Sequence, residues 1–267
     1  MFKLSVCSYS FHRTLDAKKM NLEEIMKFSA NKLKVGGFEI LGEYLPSLEK
    51  KDLMALKKLA TQLHLTICAI SAPFNNFAQD KEEALNEQIA MVNKYLDVAY
   101  QLGTPVLKLF AAWAKPEDKN RLWPKVVKGL KACAAHAEEL GIILTFEPHN
   151  HGGFPATADD TIKLLKDVDS PYFRLLLDTG NYLDNDMYQA IEKTIPWADY
   201  MHIKVHEVTD DGQIQQFDYD RIFKIMRDAN YRGFMSVEYE GEGDELKYIP
   251  ISIESIKKIL VKYAVDK

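Results

Sequence analysis

The 267-residue sequence has few cysteines and no long hydrophobic run. Cys7, Cys68 and Cys133 are an odd number at wide spacing without a CxxC pair, which favours reduced thiols over a disulfide framework. No stretch approaches the roughly 20 apolar residues that a membrane-spanning helix needs, and residues 1–13 lack the apolar core of a signal peptide. These absences predict a cytoplasmic protein without a membrane partner.

Linker-like segments are absent as well. No glycine-, serine- or proline-rich stretch and no low-complexity tract divides the chain, and a hydrophobic fraction of 47% supports a large core. The chain has the length of one α/β barrel, which typically takes about 250 residues. We therefore predict a single domain over residues 1–267.

Positive charge is in deficit. The 34 Lys and Arg residues and the 39 Asp and Glu residues give a net charge of −5 at pH 7. A molecule of this charge repels nucleic-acid phosphates on the whole. The composition therefore predicts no nucleic-acid partner, and a small molecule is the expected ligand. It leaves the oligomeric state open, and a homo-oligomer is compatible with it.

Short apolar runs alternate with longer segments of helical periodicity along the whole chain. The eight strand candidates are residues 3–8, 36–41, 65–71, 105–111, 142–147, 173–178, 199–205 and 234–240. Helical stretches include residues 21–34, 50–63, 81–102 and 156–168. The glycines of GGF (36–38), LGI (140–142) and YRG (231–233) lie where glycine is expected to end the preceding helix.

This alternation predicts parallel strands joined by right-handed crossovers. Eight such units predict an α/β fold, a single-domain (β/α)8 TIM barrel. The alternative is an open doubly wound sheet, which usually carries a glycine-rich phosphate-binding turn after its first strand. The corresponding segment here, SYSFHR (8–13), is not such a turn.

Four consecutive strand candidates each end in, or contain, a side chain that can bind a metal. Glu147, Asp178, His202 and Glu238 are 31, 24 and 36 positions apart, close to the roughly 31 residues expected for each of eight units. Catalytic groups of such barrels lie at the carboxyl ends of the strands. Three oxygen ligands and one imidazole suit one divalent ion, with Mn²⁺ or Mg²⁺ favoured and Co²⁺ or Zn²⁺ also compatible.

Each residue alone has a simpler explanation. Asp178 could cap the following turn, His202 could be a hydrogen-bonded core imidazole, and Glu238 could pair with Lys204. Taken together, however, several carboxylates in one apolar barrel mouth cannot all stay ionised without a cation. The combination therefore favours the metal site.

The segments FEPHN (146–150), LLLDTGN (175–181), HIKV (202–205) and SVEYEG (236–241) together resemble the xylose isomerase-like TIM barrel superfamily of sugar isomerases and epimerases. The resemblance extends over essentially the whole chain. It implies that Glu147, Asp178, His202 and Glu238 hold one divalent metal. It also implies that Glu147 and Glu238 are the catalytic acid/base pair.

The resemblance implies a metal-dependent sugar isomerase or epimerase that acts through an enediolate intermediate. A metal-dependent dehydratase or lyase on an inosose or keto-sugar is the main alternative, since it would use the same enediolate. A non-catalytic sugar-binding protein and an AP endonuclease are weaker alternatives; the endonuclease needs further histidines on the early strands, and these are missing. The acidic segments HEVTDDGQ (206–213) and EGEGDE (240–245) favour a non-phosphorylated ketose or polyol.

Other polar and aromatic residues near the strand ends are expected to contact substrate. They are His149, Asn181, Lys204, His206, Glu240, Glu39 and Trp113. Asn181 stands where epimerases of the family usually have histidine, and an amide cannot shuttle a proton at neutral pH.

Two lysines are left with open roles. Lys204 could hold a substrate oxygen or neutralise Glu240 or Glu147. Lys108 could be a charge inside the barrel paired with a carboxylate, or a residue at a strand edge.

Overall fold

The computed structural model describes residues 3–263, and within them eight parallel strands close into one barrel in chain order. The ends of the predicted domain, residues 1–2 and 264–267, lie outside the described residues. The barrel strands are β1 Lys3–Cys7, β2 Gly37–Leu41, β3 Thr66–Ser71, β4 Val106–Phe110, β5 Ile143–Glu147, β6 Phe173–Asp178, β7 Ala198–Val205 and β8 Phe234–Tyr239. The predicted (β/α)8 barrel is confirmed.

Helices occupy the connections between the strands. They are α1 His12–Asp16, α2 Leu22–Phe28, α3 Lys50–Gln62, α4 Glu82–Leu102, α5 Lys119–Leu140, α6 Ala158–Val168, α7 Met187–Thr194, α8 Tyr219–Asp228 and α9 Glu245–Val261. The apolar stripes that predicted helices pack inward, as Leu53, Leu56 and Ala60 of α3 show. None of the helices between residues 3 and 263 is both long and apolar enough to cross a bilayer.

The glycine prediction is right at one of three helix ends. Gly141 has φ +68° at the end of α5. After α2 the chain continues in a π-helical segment, Ser29–Leu33, and the left-handed residue that follows it is Lys34 (φ 51°). Beyond α8 the left-handed residue is Asn230 (φ 55°). The nearby glycines allow close packing instead, because a Cβ on Gly37 would lie 2.6 Å from the Phe234 ring.

Two short strands join the loops that follow β4 and β5. Ala112–Trp113 pairs antiparallel with Gly153–Phe154. This hairpin-like contact brings Trp113 against His149, with ring centroids 4.6 Å apart. The loops are thereby fixed at the carboxyl end of the barrel, where Glu147 ends β5.

The three cysteines are free and buried, at Cys7, Cys68 and Cys133. This agrees with the predicted absence of a disulfide framework. Burial raises the pKa of the Cys68 and Cys133 thiols to about 12, so these thiols stay protonated at neutral pH.

Candidate metal and substrate site

The structure brings the four predicted ligands together. Glu147 and Asp178 are the last residues of β5 and β6, and His202 and Glu238 lie in β7 and β8. Each offers a ligand atom within 4.8 Å of the others, and all four residues are buried. Strand pairing contributes directly, because Asp178 is opposite His202 in the β6–β7 register.

Nδ1 of His202 faces three carboxylates. It lies 3.4 Å from Glu238 Oε2, 3.7 Å from Asp178 Oδ2 and 3.8 Å from Glu147 Oε1. Atoms that bind one divalent ion at about 2.0–2.2 Å each are separated by somewhat less than twice that distance. The spacing therefore suits ligands arranged around one ion.

Unpartnered atoms support the same fit. Within residues 3–263, His202 Nδ1 is buried without a hydrogen-bond partner. Asp178 Oδ2 and Glu147 Oε2 form no hydrogen bond either, although each of them is in an ion pair with a lysine ammonium group. Buried polar atoms are nearly always hydrogen-bonded or bound to a metal. Three carboxylates and one imidazole form a donor set that suits Mn²⁺ or Mg²⁺, so these residues fit a divalent metal.

The opposite side of His202 contacts Glu39. Nε2 lies 3.0 and 2.9 Å from the two carboxylate oxygens of Glu39, which is fully buried on β2. Tyr200 donates to Glu39 Oε2 at 3.1 Å. Glu39, predicted to contact substrate, therefore lies beneath His202 and does not line the cavity described below.

Two buried lysines partly balance the carboxylates. Lys204 Nζ lies 3.1 Å from Asp178 and 2.8 Å from Glu240, and it donates a short hydrogen bond to Glu238. Lys204 thus neutralises Glu240, one of the two carboxylates proposed for it.

The other carboxylate, Glu147, pairs with Lys108, whose Nζ lies 2.5 Å from Glu147 Oε2. Lys108 is 6% exposed. It is therefore the charge inside the barrel that was one of its two expected roles, and it is not at a strand edge.

The two glutamates differ in proton affinity. Burial raises the pKa of Glu147, and the neighbouring ammonium group of Lys108 offsets only part of this effect. Burial also disfavours the charged form of Glu238, but Lys204 and His202 outweigh it and hold the pKa of Glu238 well below its usual range. Each glutamate thus has a lysine partner that lowers its pKa. The net pKa is nevertheless raised for Glu147 and lowered for Glu238.

A cavity of about 240 Å³ opens beside these groups. It is lined by Tyr9, Leu41, Glu43, Ser71, Ala72, Phe74, Lys108, Phe110, Glu147, His149, Lys204, Glu238 and Glu240. Glu147 and Glu238 reach it, whereas Asp178 and His202 are not among its lining residues. The two predicted acid/base residues are therefore the metal-site residues that a small molecule in the cavity can touch.

The remaining predicted substrate contacts have different positions. His149 lines the cavity, and burial, followed by the charge of Lys108, lowers its pKa to about 4. Asn181 is buried and donates to Glu147 Oε1 at 2.9 Å. Trp113 contacts His149 with the two rings tilted by 56°. His206 lies in a separate surface depression, with Nδ1 3.9 Å from Glu240 Oε2.

Sequence reasoning missed Tyr9, Glu43, Phe74, Phe110 and Tyr200. Two of them carried a usable signal, because alternate residues of a strand point to one side. Phe110 is two positions after Lys108, and Tyr200 is two positions before His202. The other three lie in loops or short turns outside the barrel strands, where no such periodicity exists.

The chain is similar in sequence to curated proteins. Over 166 residues the chain is 26% identical to the inosose dehydratase of Clostridium perfringens, covering 52% of this chain and 54% of that protein, so it spans about half of that relative's length. It is 24% identical over 266 residues to the inosose dehydratase of Bacillus thuringiensis, covering 84% and 85% of the two chains.

A solved structure has the same fold. D-psicose 3-epimerase with D-tagatose from Clostridium cellulolyticum H10 superposes with a TM-score of 0.78 at 17% identity, over 98% of each chain. Residues 29–259 match the family described as xylose isomerase-like TIM barrel, which is most of the chain. This protein therefore belongs to the xylose isomerase-like TIM barrel family.

Proposed function

We propose that the protein is a divalent-metal-dependent sugar isomerase or epimerase acting on a non-phosphorylated ketose or related polyol through an enediolate intermediate. The observation that carries this proposal is the position of Glu147 and Glu238. Each lies within reach of a common metal position, and each also lines the cavity in which a substrate would bind. Mn²⁺ or Mg²⁺ is the proposed ion.

The two glutamates are placed to act as an acid/base pair. A divalent ion, when bound, stabilises the negative charge that develops on the oxygens of a hydroxyketone as the adjacent C–H is deprotonated. Glu147 on β5 and Glu238 on β8 stand three strands apart around the barrel, so they approach a substrate from different sides. One can remove a proton while the other returns it, which inverts the carbon centre.

The neighbouring residues hold these carboxylates in place. Lys108 and Asn181 contact opposite oxygens of Glu147. Lys204 contacts Glu238 and Glu240. Such contacts restrict the rotamers of the acid/base pair before substrate arrives, which is the usual condition for efficient proton transfer. His149 and Glu240 are proposed to bind substrate hydroxyl groups.

The charges of the cavity favour an uncharged substrate. Its acidic lining residues are Glu43, Glu147, Glu238 and Glu240. Its two lysines already contact carboxylates at 3.1 Å or less. A sugar phosphate would therefore find no lysine or arginine in the lining that is free to bind its phosphate group. We propose a neutral sugar or polyol for this reason.

Dehydration is the second candidate function. It is favoured by the matches to inosose dehydratases of C. perfringens and B. thuringiensis. The same first step would serve it, because removing the proton beside a carbonyl group prepares the loss of a β-hydroxyl group. The two candidates therefore differ in the second step, after the enediolate has formed.

One experiment separates the two. The protein is incubated with Mn²⁺ in D₂O, in separate samples with free ketohexoses and with inososes. After the reaction the metal is removed by chelation, and the products are identified by NMR. Deuterium at the epimerised carbon, or in an aldose product, supports the lead proposal. Loss of water supports the dehydratase. Unchanged substrates without deuterium uptake would contradict both.

The matched variants are Glu147→Gln and Glu238→Gln. Either change removes a proton acceptor at nearly constant size, so we expect deuterium exchange to fall at least about 10²-fold. Glu254→Gln on the exposed face of α9 serves as the control. Equal exchange rates in all variants would show that the two glutamates are not the acid/base pair.

A further inference from the structure

The imidazole of His202 is contacted from two opposite sides. We propose that Glu39 is a positioning residue that fixes the tautomer and orientation of His202 and thereby sets the affinity of the site for its metal. This inference rests on the proposed metal site. It replaces the substrate contact that the sequence suggested for Glu39.

Hydrogen-bond geometry determines which nitrogen carries the proton. Nε2 lies within 3.0 Å of both oxygens of Glu39. A carboxylate only accepts hydrogen bonds, so Nε2 is the donor. In a neutral imidazole Nδ1 then carries the lone pair, and Nδ1 is the atom that faces Glu147, Asp178 and Glu238.

Glu39 is itself held in place. The Tyr200 hydroxyl donates to Glu39 Oε2 at 3.1 Å and lies 3.2 Å from the Cys68 sulfur. Glu39, Cys68 and His202 have no exposed surface, and Tyr200 is 1% exposed. Bulk water therefore has no access to replace any contact in this chain of groups.

The arrangement extends across the barrel. Glu39 lies on β2 and His202 on β7, which are separated by β1 and β8 on the shorter path around the barrel. Their contact therefore crosses the barrel interior, and both side chains are fully buried. The Glu39 carboxylate does not line the cavity, so His202 and Tyr200 are the groups on which it acts.

The expected size of the effect follows from other metal sites. A carboxylate that accepts the second N–H of a metal-binding histidine orients the ring and makes it a stronger ligand, and its loss typically lowers metal affinity roughly 10- to 100-fold. In Glu39→Gln the side chain keeps its size and can still accept a hydrogen bond, but the negative charge is gone. We therefore expect weaker metal binding with the fold retained.

The test is a calorimetric titration of the full-length protein with Mn²⁺. We expect Glu39→Gln to bind roughly 10- to 100-fold more weakly than the unmodified protein, and Tyr200→Phe to show a smaller loss. The control is Glu254→Gln, which removes an exposed carboxylate of α9 outside the cavity; its affinity should change by less than about threefold.

The outcomes distinguish the two proposals. If the unmodified protein binds Mn²⁺ and Glu39→Gln binds it equally well, the role of Glu39 is overturned while the metal site stands. If the unmodified protein binds no Mn²⁺, the proposed function itself is overturned. Near-ultraviolet circular dichroism of each variant shows whether it is folded.

A second measurement needs no variant. Long-range ¹H–¹⁵N correlation spectra of the unmodified protein, loaded with diamagnetic Zn²⁺, report which nitrogen of His202 carries a proton. We expect a protonated Nε2 and an unprotonated Nδ1. A proton on Nδ1, or rapid exchange between tautomers, would contradict the proposal even if every Glu39 variant failed to fold.

Discussion

Lys108 shows how one side chain links stability to the proposed metal site. Its ammonium group is buried 2.5 Å from Glu147 and lies 4.6 Å from the centroid of the Phe110 ring. Removing one partner of a buried ion pair leaves an uncompensated charge, which usually costs about 3–5 kcal/mol. The same charge could be compensated by a bound divalent ion.

We therefore expect Lys108→Met to lower the free energy of unfolding by about 3 kcal/mol in EDTA, and saturating Mn²⁺ to stabilise this variant more than the unmodified protein. Urea denaturation with and without the metal measures both effects. Lys131→Met, on the exposed face of α5, is the control. Equal stabilisation of both proteins by Mn²⁺ would contradict this role for Lys108.

At the scale of single elements, Glu245 connects the last helix, α9, to the first helix, α1. It begins α9, yet its carboxylate accepts hydrogen bonds from the backbone N–H groups of Arg13 and Thr14 at 3.0 and 2.8 Å, at the start of α1. The Thr14 hydroxyl donates to it at 2.6 Å. Since α1 follows β1 and α9 follows β8, this contact supports the closure of the barrel at the carboxyl end.

Glu245→Ala would leave two backbone donors at the start of α1 without an acceptor. Each unsatisfied donor costs about 1–3 kcal/mol, so we expect a loss of at least about 2 kcal/mol in the free energy of unfolding, measured by urea denaturation. Glu254→Ala in the same helix removes an exposed carboxylate and should cost less than about 1 kcal/mol. Similar losses in both variants would refute the proposed tie between α1 and α9.

The elements themselves were largely predictable from sequence. Each of the eight strands was found within two residues of its observed bounds, because period and turn residues are local properties. The contact between Glu39 and His202 was not predictable. Alternation shows that a side chain points into the barrel, but the stagger of the strands decides which inward side chains meet at one height.

The same limit applies to the metal site. The spacing of the sequence predicts one metal ligand on each of four successive strands. The structure shows that these four side chains lie close together. The partners of Lys108 and Lys204 depend on side-chain reach across strands, so the sequence left their roles open. Residues in loops, such as Phe74 and Glu43, gave no sequence signal at all.

For the whole molecule, buried thiols make stability depend on pH. Burial holds the pKa of Cys68 and Cys133 at about 12, against an ordinary value of 9.0. Between these values the unfolded chain has released protons that the folded chain keeps, so the free energy of unfolding falls as pH rises. Below pH 9 this contribution is fully present.

We therefore expect urea denaturation to show lower stability at pH 10 than at pH 8. Cys133→Ala removes one of the buried thiols and should show a smaller difference between the two pH values. A stability that does not change over this interval, or an equal change in the variant, would contradict the assignment.

The central claim is that side chains from β5, β6, β7 and β8 hold one divalent ion. Its most direct test is elemental analysis of the protein after loading with Mn²⁺ and removal of free metal. We expect one Mn²⁺ ion for each chain. In Asp178→Asn most of this metal should be lost, because the carboxylate that is removed is buried and lies outside the lining of the cavity. Metal-free protein after loading, or full retention by Asp178→Asn, would contradict the claim.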